Sequence, residues 1–125
     1  MQDGYWLYVM GVPSGHFKIG IAKDVEKRRQ ELQTGNHERI EVMAAQHPSL
    51  WFDGSHAKDG EIARKAESDL HQLLAPWCSQ GEWFKVTLEQ IQTAMGIVVS
   101  RLALMTGRKQ AGRNEFEAGL LANMG

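Results

Sequence analysis

An arginine occupies a position where helical spacing predicts an apolar side chain. Val25 and Leu32 are seven residues apart and mark the buried stripe of a predicted first helix, and Arg28 lies between them on the same face. A guanidinium is always charged and carries five N–H donors in a planar fork, which suits a phosphate and is costly to bury without one. Arg28 is therefore a candidate phosphate-binding residue. The structural alternative is that the Arg28 side chain extends past the apolar stripe and keeps its guanidinium in water.

A second predicted helix has the same irregularity with the opposite charge. Ala63, Glu67, Leu70 and Leu74 follow one another at spacings of four, three and four, so Glu67 shares a face with three apolar residues. A buried carboxylate requires a cation beside it, and one carboxylate completed by waters and a substrate phosphate is a usual way to hold Mg²⁺. A structural ion pair with Arg28 or Lys18 explains Glu67 equally well.

The N-terminal region predicts a hairpin with a tyrosine and a lysine on one face. Alternation along a strand places Tyr8 beside Lys18 if the apolar residues share the core face, namely Leu7, Val9, Phe17 and Ile19. A nearby cation lowers the pKa of a phenol and allows it to accept a proton, and a lysine can donate to a phosphate oxygen. An ordinary cross-strand pair on a solvated face is the alternative. Together the four residues supply a base, two cations and a metal-binding carboxylate, as phosphodiester cleavage requires.

These residues must be positioned by a small α+β (α/β) domain. The sequence predicts a three-stranded antiparallel sheet flanked by helices, with strands at 5–10, 16–20 and 40–46 and helices at 24–34, 61–75 and from 88 onward. Asp24 is the predicted N-cap of the first helix. The segment 47–60 predicts a long loop in which Trp51 and Phe52 pin the loop to the domain surface.

The third helix has the clearest local signals. Thr87 and Gln90 predict a capping box, and an apolar stripe continues until Gly107 ends the helix. The stripe consists of Leu88, Ile91, Met95, Val98, Leu102 and Met105. We therefore predict a nuclease-like domain over 1–106 and a C-terminal tail over 107–125, where Phe116, Leu120 and Leu121 indicate a short helix.

Composition restricts the cellular setting and the kind of partner. With 14 basic and 15 acidic residues, the chain has a net charge of −1, so a nucleic-acid site must be local. Cys78 is the single cysteine, which excludes an internal disulfide and suits a reducing cytoplasm. The sequence shows neither a membrane-spanning segment nor a signal peptide, which predicts a cytoplasmic protein.

The order of these residues resembles the GIY-YIG nuclease superfamily. The first motif is Trp6-Leu7-Tyr8, the second is Lys18-Ile19-Gly20, and Arg28 follows eight residues after that glycine. The downstream matches, Glu31 to Asn36, Ala66-Glu67, Leu70-His71 and Gly81 to Phe84, look like the phage-type branch in which KIG replaces YIG. The resemblance covers about residues 4–92.

The resemblance implies a role for each matching residue. Tyr8 would be the general base or its partner, Lys18 would replace the second tyrosine, and Arg28 would stabilise the transition state. Glu67 would hold one Mg²⁺ or Mn²⁺ ion, and His71 would contact a phosphate. Two positions depart from the family pattern, with Trp6 and Ala22 in place of the usual small and hydroxyl residues. Glu82-Trp83 stands near the place of a late asparagine.

The predicted partner is DNA, expected to be double-stranded, in a bacterial or phage-infected cell. Lys23, Lys27 and Arg29 are the predicted binding residues, but basic residues exceed acidic ones by only two between Lys18 and Arg39. Such a surface binds weakly, which leaves open a homodimer or a partner protein that supplies affinity.

Three functions are consistent with these residues. A metal-dependent endonuclease that uses one divalent cation explains the residues best. A catalytically inactive nucleic-acid-binding or protein-interaction module of the same fold is the main alternative. A phage regulatory or counter-defence protein that acts through its C-terminal region is the third.

Overall fold

The computed structural model describes residues 4–52 and 59–110, and the side chains of all of these except 59 and 60. Its elements in chain order are β1 (Trp6–Gly11), β2 (His16–Ala22), α1 (Val25–Thr34), β3 (Glu41–Gln46), a 3₁₀ turn (Pro48–Leu50), α2 (Asp59–Leu73), a second 3₁₀ turn (Ala75–Trp77), β4 (Cys78–Gln80), β5 (Trp83–Lys85) and α3 (Leu88–Thr106). No helix in these described ranges has the length and apolar character needed to span a bilayer.

Strands β1 and β2 form the predicted hairpin. Tyr8 lies opposite Gly20 and Met10 lies opposite Lys18. Because side chains alternate along a strand, Tyr8 and Lys18 share one face, as predicted. Leu7, Val9 and Ile19 are fully buried on the other face, which confirms the predicted register.

The sheet has five strands in the order β3-β1-β2-β5-β4, whereas the sequence predicted three. The two additional strands, β4 and β5, contain three residues each, which is too short for alternation to be read. Gly81 joins them with φ of +59°, a conformation that favours glycine. The α+β class is confirmed, and the hairpin of β4 and β5 is the part that the sequence did not predict.

Helices cover both faces of this sheet. Helices α2 and α3 bury the main apolar core against the face that carries Leu7, Val9 and Ile19. Helix α1 packs on the opposite face, where Tyr8 and Met10 join a smaller cluster. Tyr8 and Lys18 therefore lie beneath α1, and α2 lies on the far side of the sheet.

Local capping explains where the helices begin and end. Asp24 precedes α1 and its carboxylate accepts from the Lys27 amide at 3.0 Å. Thr87 and Gln90 form both hydrogen bonds of the predicted capping box, and Gly107 ends α3 in the left-handed conformation. Helix α2 runs two residues earlier at each end than predicted. Met105 is 62% exposed, so the buried stripe of α3 ends at Leu102.

The loop after β3 is attached to the core as predicted. Trp51 and Phe52 are both buried, and the Trp51 indole donates to the Gln46 side chain at 3.2 Å. The remainder of this loop, 53–58, and the short helix predicted after residue 110 lie outside the described residues.

Candidate active site

The candidate site lies at an open edge of β2. Strand β5 pairs only with His16, Phe17 and Lys18, so the rest of that edge is free to contact α2. His71 donates through Nε2 to the Ile19 carbonyl at 2.7 Å, and the Glu67 carboxylate interacts with the Ile21 amide. Helix α2 thus places two functional side chains where sheet pairing stops.

Glu67 is a half-buried carboxylate without an ion pair. Burial raises its pKa above the ordinary value, and the nearby charge of Glu82 acts in the same direction. His71, Arg64 and the Ile21 amide lower it by smaller amounts. None of the ion pairs in the described part of the chain includes Glu67. The sequence allowed an ion pair of Glu67 with Arg28 or Lys18 as the alternative to metal binding. Neither of these ion pairs is formed in the structure.

Tyr8 is buried, and its phenol interacts with the nearby Arg28 guanidinium. The Arg28 guanidinium reaches this group from α1, across the face where Tyr8 points. Burial is the largest influence and raises the pKa of Tyr8, the charges of Glu82 and Glu67 raise it further, and Arg28 lowers it, so that the pKa lies above the ordinary value. These observations correct two expectations. The cation that interacts with the phenol is Arg28 instead of Lys18, and the pKa of the phenol is raised instead of lowered.

Lys18 forms an ion pair with Glu82. Its ammonium nitrogen lies 2.6 Å from Glu82 Oε2, and the residue is only 5% exposed. The same nitrogen lies 5.9 Å from the centroid of the Trp83 ring. The ion pair lowers the pKa of the Glu82 carboxyl, with burial opposing it. The sequence offers little signal for Glu82, because its placement depends on the short hairpin of β4 and β5.

Electrostatic coupling joins six residues into one group, which we call the site cluster. Glu82 senses the charges of His71 and Arg28 in addition to Lys18, and Tyr8 senses both Glu67 and Glu82. The site cluster consists of Tyr8, Lys18, Arg28, Glu67, His71 and Glu82. The structure therefore brings together all five residues predicted to act in catalysis or metal binding, and adds Glu82.

The predicted nucleic-acid-binding residues lie in different environments. Lys23 stacks on the Tyr5 ring, with its nitrogen 5.5 Å from the ring centroid. Lys27 is exposed on α1. Arg29 forms an ion pair with Glu26 at 2.7 Å, which offsets its charge. Lys23 and Lys27 therefore retain more of their positive charge for a ligand than Arg29 does.

The donor set at Glu67 fits a metal held by few protein atoms. Within the described ranges, no three His, Cys, Asp or Glu residues are grouped so as to hold an ion. Mg²⁺ commonly uses one or two carboxylates, several waters and substrate phosphates. Half-buried Glu67, which forms no ion pair among the described residues, meets that requirement, whereas Glu82 already pairs with Lys18.

Comparison with known families finds one match. The family model of the T5orf172 domain matches residues 6–99, which is more than half of the chain and includes the whole site cluster. No curated protein and no solved structure matches the chain.

Proposed function

The chain belongs to the T5orf172 domain family, whose members are nuclease-like domains, and from this membership we propose that the protein is a metal-dependent endonuclease of the GIY-YIG type. Its substrate is a DNA phosphodiester, in double-stranded form. The observation that carries the proposal is Glu67, a half-buried carboxylate that forms no ion pair with any described residue, in one electrostatic group with Arg28, Lys18 and the Tyr8 hydroxyl.

The cations of the site cluster stabilise developing negative charge. During hydrolysis a water oxygen bonds to phosphorus, the bond to the leaving oxygen breaks, and negative charge grows on the phosphoryl oxygens. Arg28 lies near the Tyr8 hydroxyl and offers N–H donors to those oxygens. Lys18 contributes a fixed positive charge whose position is set by Glu82.

Glu67 is the proposed ligand of one Mg²⁺ or Mn²⁺ ion. When bound, the ion supplies a positive charge that polarises the phosphate and lowers the pKa of a coordinated water. A metal ion would also compensate the burial that raises the pKa of Glu67.

Tyr8 is the proposed general base, and its raised pKa predicts how cleavage depends on pH. A base must be deprotonated, so the active fraction of Tyr8 increases as the pH rises toward the pKa of the phenol. Cleavage is expected to accelerate with pH above neutrality, and Tyr8→Phe should abolish that dependence. If Tyr8→Phe slows cleavage and leaves the slope intact, Tyr8 positions the water as a partner of another base.

His71 can contact a phosphate only in its charged form. Its Nε2 donates to the Ile19 carbonyl, so in the neutral ring Nδ1 carries no proton and can only accept. An imidazolium at this position donates through Nδ1 to a phosphate oxygen and keeps the bond to Ile19.

The direct test is cleavage of supercoiled plasmid by the purified chain with Mg²⁺ or Mn²⁺. We expect nicked or linear product from the wild type and at least a hundredfold slower cleavage by Glu67→Ala, since transition-state stabilisation of this kind is worth about 10²–10³ in rate. Glu61→Ala removes an exposed carboxylate from the same helix and should cleave normally. Wild-type activity no greater than that of Glu67→Ala would overturn the proposal.

A binding module without turnover is the second candidate. The ion pair of Lys18 with Glu82 and the interaction of Arg28 with Tyr8 favour it, because both cations already have partners within the protein. DNA affinity that is unchanged by Glu67→Ala, together with no nicking by the wild type, would support this candidate over the nuclease.

A further inference from the structure

Two cations contact one partly exposed aromatic ring next to the site cluster. The Lys23 ammonium lies 5.5 Å from the centroid of the Tyr5 ring, and the Arg64 guanidinium carbon lies 5.2 Å from the same centroid. Each contact is favourable through the ring quadrupole, but the two positive charges repel each other. No ion pair within the described ranges includes Lys23 or Arg64. An anion bound beside the two cations would relieve this repulsion.

This group adjoins the proposed metal ligand along two separate elements. Arg64 lies three residues before Glu67 on α2, a rise of about 4.5 Å along the helix, and its charge contributes to lowering the pKa of Glu67. Lys23 follows Ile21, whose amide interacts with Glu67, by two residues. Tyr5 precedes β1, which pairs Trp6 with Ala22. The cations thus lie just beyond the end of the hairpin that carries the site.

We propose that Tyr5, Lys23 and Arg64 form a binding site for a nucleic-acid phosphate that flanks the one to be cleaved. A DNA strand rises about 3.4 Å per nucleotide, so a group about one helical turn from Glu67 meets the backbone one or two nucleotides away. Arg64 offers a planar fork for two phosphate oxygens, and Lys23 offers a point charge. Tyr5 is a positioning residue, because its ring orders both side chains.

The assignment of DNA as the ligand of this site rests on the proposed function. The site is tested by measuring DNA binding under conditions without cleavage. The full chain is titrated into a short fluorescein-labelled DNA duplex without divalent metal, and anisotropy is followed at several salt concentrations. The variant Lys23→Gln/Arg64→Gln should bind about tenfold more weakly near 100 mM salt. Its salt slope should fall by about two, because each of the two cations releases about one counterion from the DNA when it binds.

A charge-matched control separates a site from general attraction. Arg101→Gln/Lys109→Gln removes the same charge from two exposed positions at the C-terminal end of α3 and beyond it, and should change affinity less than twofold. Equal losses in the two double variants would overturn the proposal, as would wild-type protein that binds no DNA. Matching Tm values show that all variants fold.

Substitution of the tyrosine tests the positioning role. Tyr5→Phe keeps the ring and should retain affinity within twofold, whereas Tyr5→Leu should weaken binding about threefold. Equal affinity of these two variants would overturn the role given to the ring. If the cation variant weakens binding while wild type and Glu67→Ala both fail to nick plasmid, the phosphate site stands and the nuclease proposal fails.

Discussion

At the residue scale, most polar side chains of the site cluster are held by a partner within the fold. Lys18 is held by Glu82 and His71 by the Ile19 carbonyl, and Arg28 interacts with the Tyr8 hydroxyl. Such contacts fix side-chain positions before substrate binds, which reduces the entropy lost in the reaction. Glu67 differs because burial raises its pKa and no cation is paired with it. That combination is what a metal ion would relieve.

The ion pair of Lys18 and Glu82 makes a prediction about stability. Glu82→Ala leaves a buried ammonium without its partner and should lower the free energy of unfolding by about 1–2 kcal/mol at pH 7. Glu41→Ala breaks an ion pair to Arg39 in which both side chains are exposed, and should cost less than about 0.5 kcal/mol. Urea denaturation measures both.

The effect of Glu82 should also depend on pH. Its pKa is lowered in the folded state, so its contribution is complete above the unfolded value of about 4.5 and is lost as the pH falls through the folded value. The difference between wild type and Glu82→Ala should therefore shrink when denaturation is repeated near pH 3. A difference of the same size at both pH values would contradict an ion-pair origin.

At the element scale, the site depends on a close approach between β1 and β2. Gly20 lies opposite Tyr8, and a Cβ atom at Gly20 would lie 2.6 Å from Cζ of the Tyr8 ring. The absent side chain provides the space that the phenol occupies above β2. The hairpin thus contributes Gly20, which leaves space for the Tyr8 ring, in addition to the catalytic candidates Tyr8 and Lys18.

Two glycine substitutions test this requirement. Gly20→Ala should lower the free energy of unfolding by about 1–3 kcal/mol and displace Tyr8, because the ring cannot share the space with a methyl group. Gly96→Ala, within α3, meets nothing within 4 Å and should raise stability by about 0.4–1 kcal/mol through higher helix propensity. Chemical denaturation of both variants provides the measurement. Gly20→Ala with wild-type stability and cleavage would show that Tyr8 has room to move.

At the scale of the whole molecule, the site residues come from elements on opposite faces of the sheet and lie together at one edge of it. Tyr8 and Lys18 lie on the sheet face that α1 covers and Arg28 lies on α1 itself, whereas Glu67 and His71 come from α2 on the opposite side. They meet where β5 ends and β2 has an open edge. The packing of α2 on the core therefore sets the position of the proposed metal ligand.

A core substitution on α2 tests that dependence. Leu70 is fully buried, and in the sequence it lies between Glu67 and His71. Leu70→Ala should lower the free energy of unfolding by about 2–5 kcal/mol because it leaves a cavity. Leu104 on α3 is 86% exposed, and Leu104→Ala should change stability by less than about 0.5 kcal/mol. Thermal and urea unfolding compare the pair. Similar losses for both variants would contradict the described placement of the core.

The sequence by itself determined the elements whose signals are local. The Asp24 cap, the Thr87 capping box and the alternation in the hairpin each depend on residues within a few positions, and the structure confirms all three. The two charges on apolar helical stripes, Arg28 and Glu67, were likewise visible from spacing alone. Most of the site cluster could therefore be selected before its arrangement was known, whereas His71 was selected from the family resemblance and Glu82 emerged only in the structure.

Only the tertiary structure decided which charge meets which. Lys18 and Glu82 are 64 residues apart in sequence, and their contact depends on the pairing of β2 with a three-residue strand that carries no readable period. The pairing of Arg28 with Tyr8 depends on how α1 packs over the sheet, and the raised pKa of the phenol depends on burial. Register and packing are long-range properties, which is why spacing identified Arg28 and Glu67 but not the partners of the charged side chains.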